Sequence, residues 1–347
     1  MEKRESMNAP NTPNTPNVLV LPGPTLYRQL FSPAADERLR AVANVTFNDS
    51  DEAWSSTRLA TVIGDYDGLI TGWRSPRLTA EVLNAATRLR IVAHSAGSVK
   101  AYIPEAVLER GIKVSSAAIA MSPAVAEFSL ILVFLGLRPV HEYDFGMRRG
   151  GRVWANAAVT GLGREIAGSR IGVVGAGGIG RIFIQQLKAL GAEPWVFDPY
   201  LSEDAAMELG AHQISLDVLM AECPIVVNHA PTPETHHMIG KEQLALMQDG
   251  AYLVNTARSW VINQEALLAE LETGRIRAAL DVFDTEPLPL DHPFRSLPNV
   301  ILTPHVAGAT HEGYYRQGDC AVRDIANAFS GRPLAHEVTP ERYAILA

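Results

Sequence analysis

Three residues are spaced as an acid–base reaction on an anionic substrate would need them. Arg258 follows the apolar run AYLVN, Glu286 follows IRAALDVF, and His305 follows NVILTP. Each run reads as a short strand, so all three lie just beyond strand C-termini, the edge at which open parallel sheets bind ligands. Their chemistry is complementary. A guanidinium offers a planar fork of donors to a carboxylate or a carbonyl oxygen. An imidazole changes protonation near neutral pH and serves as acid in one direction and base in the other. A carboxylate within reach orients that imidazole and raises its pKa by favouring imidazolium. Reduction of a 2-oxo acid asks for these groups plus a hydride donor: a cation for the carboxylate and an acid for the new alkoxide. Singly, each has a plainer reading: Arg258 as a surface ion-pair residue, Glu286 as a turn acid before Pro287, His305 as one of ten histidines. The succession of all three at one sheet edge carries the chemical reading.

The hydride donor has a candidate site upstream, in the run Arg170-Ile-Gly-Val-Val-Gly175-Ala-Gly177-Gly178-Ile179-Gly180. A G-x-G-x-x-G alone is weak, but here a strand precedes it and an amphipathic helix carrying Ile179, Phe183, Leu187 and Leu190 follows. Gly175 would allow the tight turn, Gly177 the approach of a pyrophosphate, and Gly180 close packing of helix on strand. The helix N-terminus supplies free N–H donors to the phosphates. Asp198, ending the next strand, is placed to accept from the adenosine ribose hydroxyls and to repel a 2′-phosphate, and Pro199-Tyr200 bring no arginine to offset it. NAD is therefore expected over NADP. A flavin turn, an S-adenosylmethionine site and a turn that merely packs helix on sheet are the alternatives.

These residues need a scaffold, and the chain is built to provide one. Its 347 residues suggest two domains at about 150 residues each. With 47% apolar and 20% charged residues it has a globular composition, and a net charge of −8 argues against a nucleic-acid or anionic-membrane partner. NVLVLPG, DGLITGW, LRIVAHS and IKVSS read as strands alternating with the helical runs DERLRAVAN, TAEVLNAATR and PEAVLERG. An apolar helix starts at Ser122-Pro123 and is expected to end near Pro139, after which the Gly-rich stretch 141–163 breaks the pattern. From Ser169 a second series follows: RIGVVG, PWVFD, PIVVNHA, AYLVN, IRAALDVF and NVILTP, closed by a helix over Glu312–Phe329 and a short tail. Residues 1–16 read as a disordered leader without the apolar core of a secretory signal. The most apolar stretch, Phe128–Leu137, is shorter than the roughly 20 residues of a bilayer span, so a cytoplasmic protein is the expectation. Cys223 and Cys320 make no disulfide framework, and no Cys/His spacing suggests a metal. His236 and His237 are expected on opposite faces of a surface loop rather than as ligands.

With these residues placed, the chain resembles the D-isomer-specific 2-hydroxyacid dehydrogenase family. GVVGAGGIGR, NTARSWVINQEAL, AALDVFDTEPLP and NVILTPHVAGAT carry the resemblance, and APTPETHHMIG looks like the family's nucleotide-side loop. The resemblance implies an α/β fold of two Rossmann-like domains. A dinucleotide-binding domain over 123–310 is inserted into a flavodoxin-like substrate domain made of 17–122 and 311–347, with the active site in the cleft between them. It implies Arg258, Glu286 and His305 as the catalytic trio. It also implies NAD held by the glycine turn, Asp198, Pro231, Thr235, Thr256, Ala257 and Gly308, with Asp281 on the nicotinamide carboxamide. Gly97 and Ser98 would offer backbone N–H groups to the substrate carboxylate, and a homodimer joined through the cofactor domain is expected. Corepressor-type relatives keep the trio, so an NADH-responsive binding protein is the alternative. Formate dehydrogenases carry Gln in place of Glu286.

The departures from the family bear on the substrate. Ser98 replaces a common Gly, Lys100 a common Asp, Met121 a common Asn, Ser259 a Gly and Asn263 an Asp. Lys100 is read as a solvated surface lysine, with recruitment of a second anionic group as the other possibility. Trp260 is bulkier than usual and is expected to narrow the cleft or touch the nicotinamide side.

Overall fold

The computed structural model describes residues 15–149, 163–230 and 232–346. The chain divides into two compact units, Met1–Met121 with Thr310–Ala347, and Ser122–Ala309. The leader therefore lies, up to residue 14, outside the described residues.

The first unit is built on β1 (Asn17–Val20), β2 (Asn44–Phe47), β3 (Gly68–Thr71), β4 (Ile91–His94) and β5 (Lys113–Ser116), all parallel in the order β2-β1-β3-β4-β5. That is the flavodoxin-like order. Helices α1 (Pro24–Leu30), α2 (Pro33–Val42), α3 (Ser56–Val62), α4 (Ala80–Ala85) and α5 (Ala106–Glu109) link the strands, and α13 (His311–Phe329) and α14 (Pro340–Ile345) close the chain. Side-chain caps start several of them: Ser32, Ser55, Thr79 and Thr310 each accept from a backbone N–H three residues on. Strand residues alternate between two cores. Val18, Val20, Ile91 and Ala93 pack with Ala321, Val322 and Ile325 of α13, whereas Leu19, Leu69, Val92 and Val114 pack with Leu59, Val82 and Val107.

The second unit carries β6 (Arg170–Val174), β7 (Glu193–Phe197), β8 (His212–Gln213), β9 (Ile225–Asn228), β10 (Tyr252–Asn255), β11 (Arg277–Leu280) and β12 (Val300–Leu302). The order β12-β11-β10-β9-β6-β7-β8 is fully parallel and reverses direction between β6 and β9, as in a dinucleotide-binding fold. Around it lie α6 (Ser122–Leu137), α7 (Val140–Arg148), α8 (Gly178–Ala189), α9 (Glu203–Leu209), α10 (Leu216–Glu222), α11 (Lys241–Leu246) and α12 (Gln264–Glu272). Leu132 and Val133 of α6 and Phe183 and Leu187 of α8 cover one face; Leu219, Leu244, Leu267 and Leu271 cover the other.

Several expectations change. β2 and β8 were not anticipated: NVTF is a four-residue edge strand directly after α2 that buries none of its residues, and His212–Gln213 is a two-residue strand at the edge of the second sheet. The stretch after Pro139 does not simply break the pattern: Val140–Arg148 is helical. It buries no residue, so no core-facing stripe marks it, and an Arg148–Asp144 pair one turn apart supports it at 2.8 Å. The apolar segment is also longer than Phe128–Leu137. The helical run Ala118–Leu137 is long and apolar enough to cross a membrane by length and composition, although Ala126, Leu132, Val133 and Leu137 are spent in the core of the second unit. Finally, His236 and His237 do not face apart. His237 has φ of 52°, which swings its ring onto its neighbour's, with centroids 4.0 Å apart.

Candidate active site

β6 ends at the glycine turn. Gly175 has φ of +95°, and a Cβ there would stand 2.9 Å from the backbone of His229 and Ala230. Gly180, one turn into α8, packs so close that a Cβ would strike the carbonyl oxygen of Gly175. Gly177 and Gly178 are exposed at the helix N-terminus, and nothing lies within 4 Å of where a Cβ on Gly177 would be. Two glycines are thus demanded by the fold, while the third leaves an open approach to backbone N–H groups. Asp198 closes the turn. Its Oδ2 accepts from Ala176 N–H at 2.7 Å and its Oδ1 from Tyr200 N–H at 2.8 Å.

Three neighbouring strands deliver the candidate trio. Arg258 follows β10 and leads into a short 3-10 turn, Ser259–Val261. It is half-buried; Nη1 donates to the Ala257 carbonyl at 2.7 Å, and the guanidinium lies 6.0 Å from the Trp260 ring centre. Burial pulls its pKa below the usual arginine value, and the negative charge of Glu286 opposes that shift. Thr256 and Ala257 are buried just before it, the Thr256 hydroxyl 2.7 Å from that of Ser129 on α6.

Glu286 and His305 meet directly. His305 Nδ1 and Glu286 Oε2 are 2.7 Å apart, and Phe283 N–H fixes the other carboxylate oxygen at 3.0 Å. His305 has φ of 54°, a left-handed conformation that is uncommon for a residue other than glycine and is held here by its surroundings. The constraint is Asp281, fully buried at the end of β11. Its Oδ1 accepts from the Thr303 hydroxyl at 2.7 Å and Val306 N–H at 2.9 Å, and its Oδ2 from Ala307 N–H at 2.9 Å. Asp281 thus clasps the loop on both sides of His305, and Gly308 follows, half-buried.

A profile of the D-isomer specific 2-hydroxyacid dehydrogenase, NAD binding domain, matches residues 130–307 of this chain. The chain belongs to the D-isomer specific 2-hydroxyacid dehydrogenase family. It is 37% identical over 265 residues to the glyoxylate reductase of Korarchaeum cryptofilum, covering 76% of this chain and 80% of that one. It is 34% identical over 277 residues to the D-3-phosphoglycerate dehydrogenase of Mycobacterium leprae, covering 79% of this chain but 51% of the relative. The chain thus spans about half the length of such phosphoglycerate dehydrogenases. Among solved structures, TT0316 of Thermus thermophilus superposes with a TM-score of 0.77 at 31% identity, covering 93% of this chain and all of that one. As a member of this family, the chain is an oxidoreductase of the NAD-dependent 2-hydroxyacid dehydrogenase kind.

In this family member, the remaining candidates fall as follows. Thr235 lies in the loop after β9, its hydroxyl donating to the Thr232 carbonyl at 2.6 Å; Pro231 lies outside the described residues. Gly97 and Ser98 follow β4 in the first unit, where a Cβ on Gly97 would meet the Met121 Cε at 3.6 Å. Lys100 is not simply solvated: Nζ donates to the Ala344 carbonyl at 3.1 Å and lies 5.6 Å from the Tyr343 ring centre, tying the loop to α14. Two buried asparagines beside the site, Asn228 and Asn255, went unread in the sequence. The available signal was that two consecutive apolar strands, IVVN and YLVN, both end in an amide.

Proposed function

We propose that the protein interconverts a small 2-oxo acid and its D-2-hydroxy acid with NAD(H). The single observation that carries this reading is the 2.7 Å contact between His305 and Glu286, in the unit that also holds Arg258 and the glycine turn. Glu286 orients the imidazole through Nδ1 and leaves Nε2 to exchange a proton with the substrate oxygen. Arg258 grips the carboxylate and polarises the carbonyl; its partial desolvation strengthens both interactions. In the same reading the first unit is the substrate domain, and its loop after β4, with Gly97 and Ser98, is the candidate substrate-carboxylate loop.

The glycine turn fits a nicotinamide dinucleotide, because Gly177 and Gly178 leave the α8 N-terminus open. Gly175, Gly177, Gly178, Ile179, Gly180, Asp198, Thr235, Thr256, Ala257, Asp281 and Gly308 would hold it. When bound, the dinucleotide supplies or accepts the hydride. Asp198 favours NAD over NADP by its charge. A homodimer is part of the same reading, supported by the apolar side chains that α6 and α7 leave exposed, Ile131, Val140, Phe145 and Met147.

The test is NADH oxidation across glyoxylate, hydroxypyruvate, phosphohydroxypyruvate, pyruvate and phenylpyruvate, with His305→Asn alongside. Turnover with one of these acids is expected, and the substitution should lower kcat by about 10²- to 10⁴-fold while NADH still binds. Near-normal kcat in His305→Asn would remove the acid–base role. Tight NADH binding without turnover on any acid would favour an NADH-responsive binding protein.

A further inference from the structure

β9 and β10 run parallel and in register, so their last residues, Asn228 and Asn255, are direct partners. The two are 0% and 2% exposed, a setting in which an amide must be satisfied inside the protein. Asn228 Nδ2 donates to Asn255 Oδ1 at 3.1 Å. The remaining bonds lead away from each other. Asn228 Oδ1 accepts from Ala230 N–H at 3.1 Å, at the root of the nucleotide-side loop. Asn255 Oδ1 also accepts from Ala257 N–H at 3.1 Å, and its Nδ2 donates to the Arg258 carbonyl at 3.0 Å. A buried chain of amides therefore runs from the backbone of Ala230 to that of Arg258.

The same two loops are joined again further out. His237 N–H donates to the Trp260 carbonyl at 2.7 Å, Ile239 N–H to that of Val261 at 3.0 Å, and Asn263 N–H to that of Ile239 at 2.9 Å. Loops 229–239 and 256–263 are thus stitched at root and tip. The Arg258 side chain follows this backbone, since its donor contact is to Ala257 and its ring neighbour is Trp260. Packing does not ask for an amide at position 228, because the strand before it is Ile225-Val226-Val227 and leucine has a similar volume.

We propose that Asn228 is a positioning residue through which dinucleotide occupancy on one loop sets Arg258 on the other, so that cofactor tightens binding of the 2-oxo acid. The inference rests on the functional reading above. A ligand that sets the position of one loop sets the other through these bonds, so the second ligand meets a loop already in place.

The experiment is calorimetric titration of oxamate, an unreactive 2-oxo acid analogue, into the whole protein with and without saturating NADH. Wild type is expected to bind oxamate more tightly with NADH present. Asn228→Ser keeps an oxygen for the Ala230 N–H but is too short to reach Asn255, whereas Asn228→Leu removes both bonds. Each variant should lose about 3- to 10-fold of that tightening, the worth of one neutral hydrogen bond. By reciprocity, the tightening of NADH by oxamate should fall by the same factor. A merely structural role would shift affinities without changing their ratio. An unchanged ratio in both variants, or a wild type that binds oxamate equally with and without NADH, overturns the inference. A wild type that binds NADH but never oxamate brings down the functional reading, and this inference with it.

Discussion

A single buried carboxylate, Asp281, holds the backbone that presents His305 in a strained left-handed turn. Strain of that kind costs about 1–3 kcal/mol and persists where surrounding bonds over-determine it. Asp198 works differently: its two oxygens are used by Ala176 and Tyr200 N–H groups, and its charge stays beside the glycine turn. Asp198→Asn retains an acceptor there and removes the charge, so it isolates the electrostatic argument. We expect it to narrow the preference for NADH over NADPH by about tenfold, equivalent to ~1.4 kcal/mol. The ratio of the two dissociation constants reads this directly, and an unchanged ratio would place the discrimination elsewhere. Arg258, Glu286 and His305 were legible in the sequence because each stands just past an apolar strand. The clasp by Asp281 was not, because its partners Thr303, Val306 and Ala307 become neighbours only when β11 and β12 pair.

The strands with alternating or continuous apolar residues announced themselves, and so did the helices with one apolar stripe. β2 and α7 did not: β2 is four residues long with only two apolar side chains, Val45 and Phe47, partly buried against the core, and α7 buries no residue. That same property makes α7 informative. Val140, Phe145 and Met147 are each more than half exposed on it, and Ile131 is likewise exposed on α6. Apolar groups that an element leaves in water beside one another are what a symmetric self-association would cover. Phe145→Glu is therefore expected to shift the sedimenting species from dimer towards monomer without lowering the thermal midpoint of a dilute sample. A wild type that sediments as a monomer at micromolar concentration would remove the dimer from the reading.

Each unit of the molecule encloses one deeply buried histidine. Burial pushes the pKa of His94 in the first unit from 6.5 down to about 4, and that of His229 in the second from 6.5 to about 3. Both rings are therefore held neutral in the folded protein, whereas the unfolded chain protonates them near pH 6.5. Their contribution is fully present above pH 6.5 and is lost as pH falls through the window towards 4 and 3. The slope is at most about 1.4 kcal/mol per pH unit for each histidine. Urea midpoints measured from pH 7 to pH 4.5 should fall accordingly, and His229→Phe should flatten the part due to the second unit. A flat wild-type profile would contradict the buried neutral rings. At this scale the two α/β series and their parallel sheets were legible from the alternation of strand and helix, whereas the order of strands within each sheet was not. The pairing of the first strands with the last long helix is a tertiary fact that periodicity does not encode.

That pairing has a consequence for how the chain is made. Arg38 meets Asp319 across 281 residues, and Ser115 meets Asp324 across 209. The face of the first sheet carrying Val18, Val20 and Ile91 is covered by Ala321, Val322 and Ile325. On a ribosome the earliest strands therefore emerge long before their cover does, while 122–309 is contiguous and can close as soon as it is out. The unit begun first is completed last, and until then an apolar face of the nascent chain stays open to chaperones.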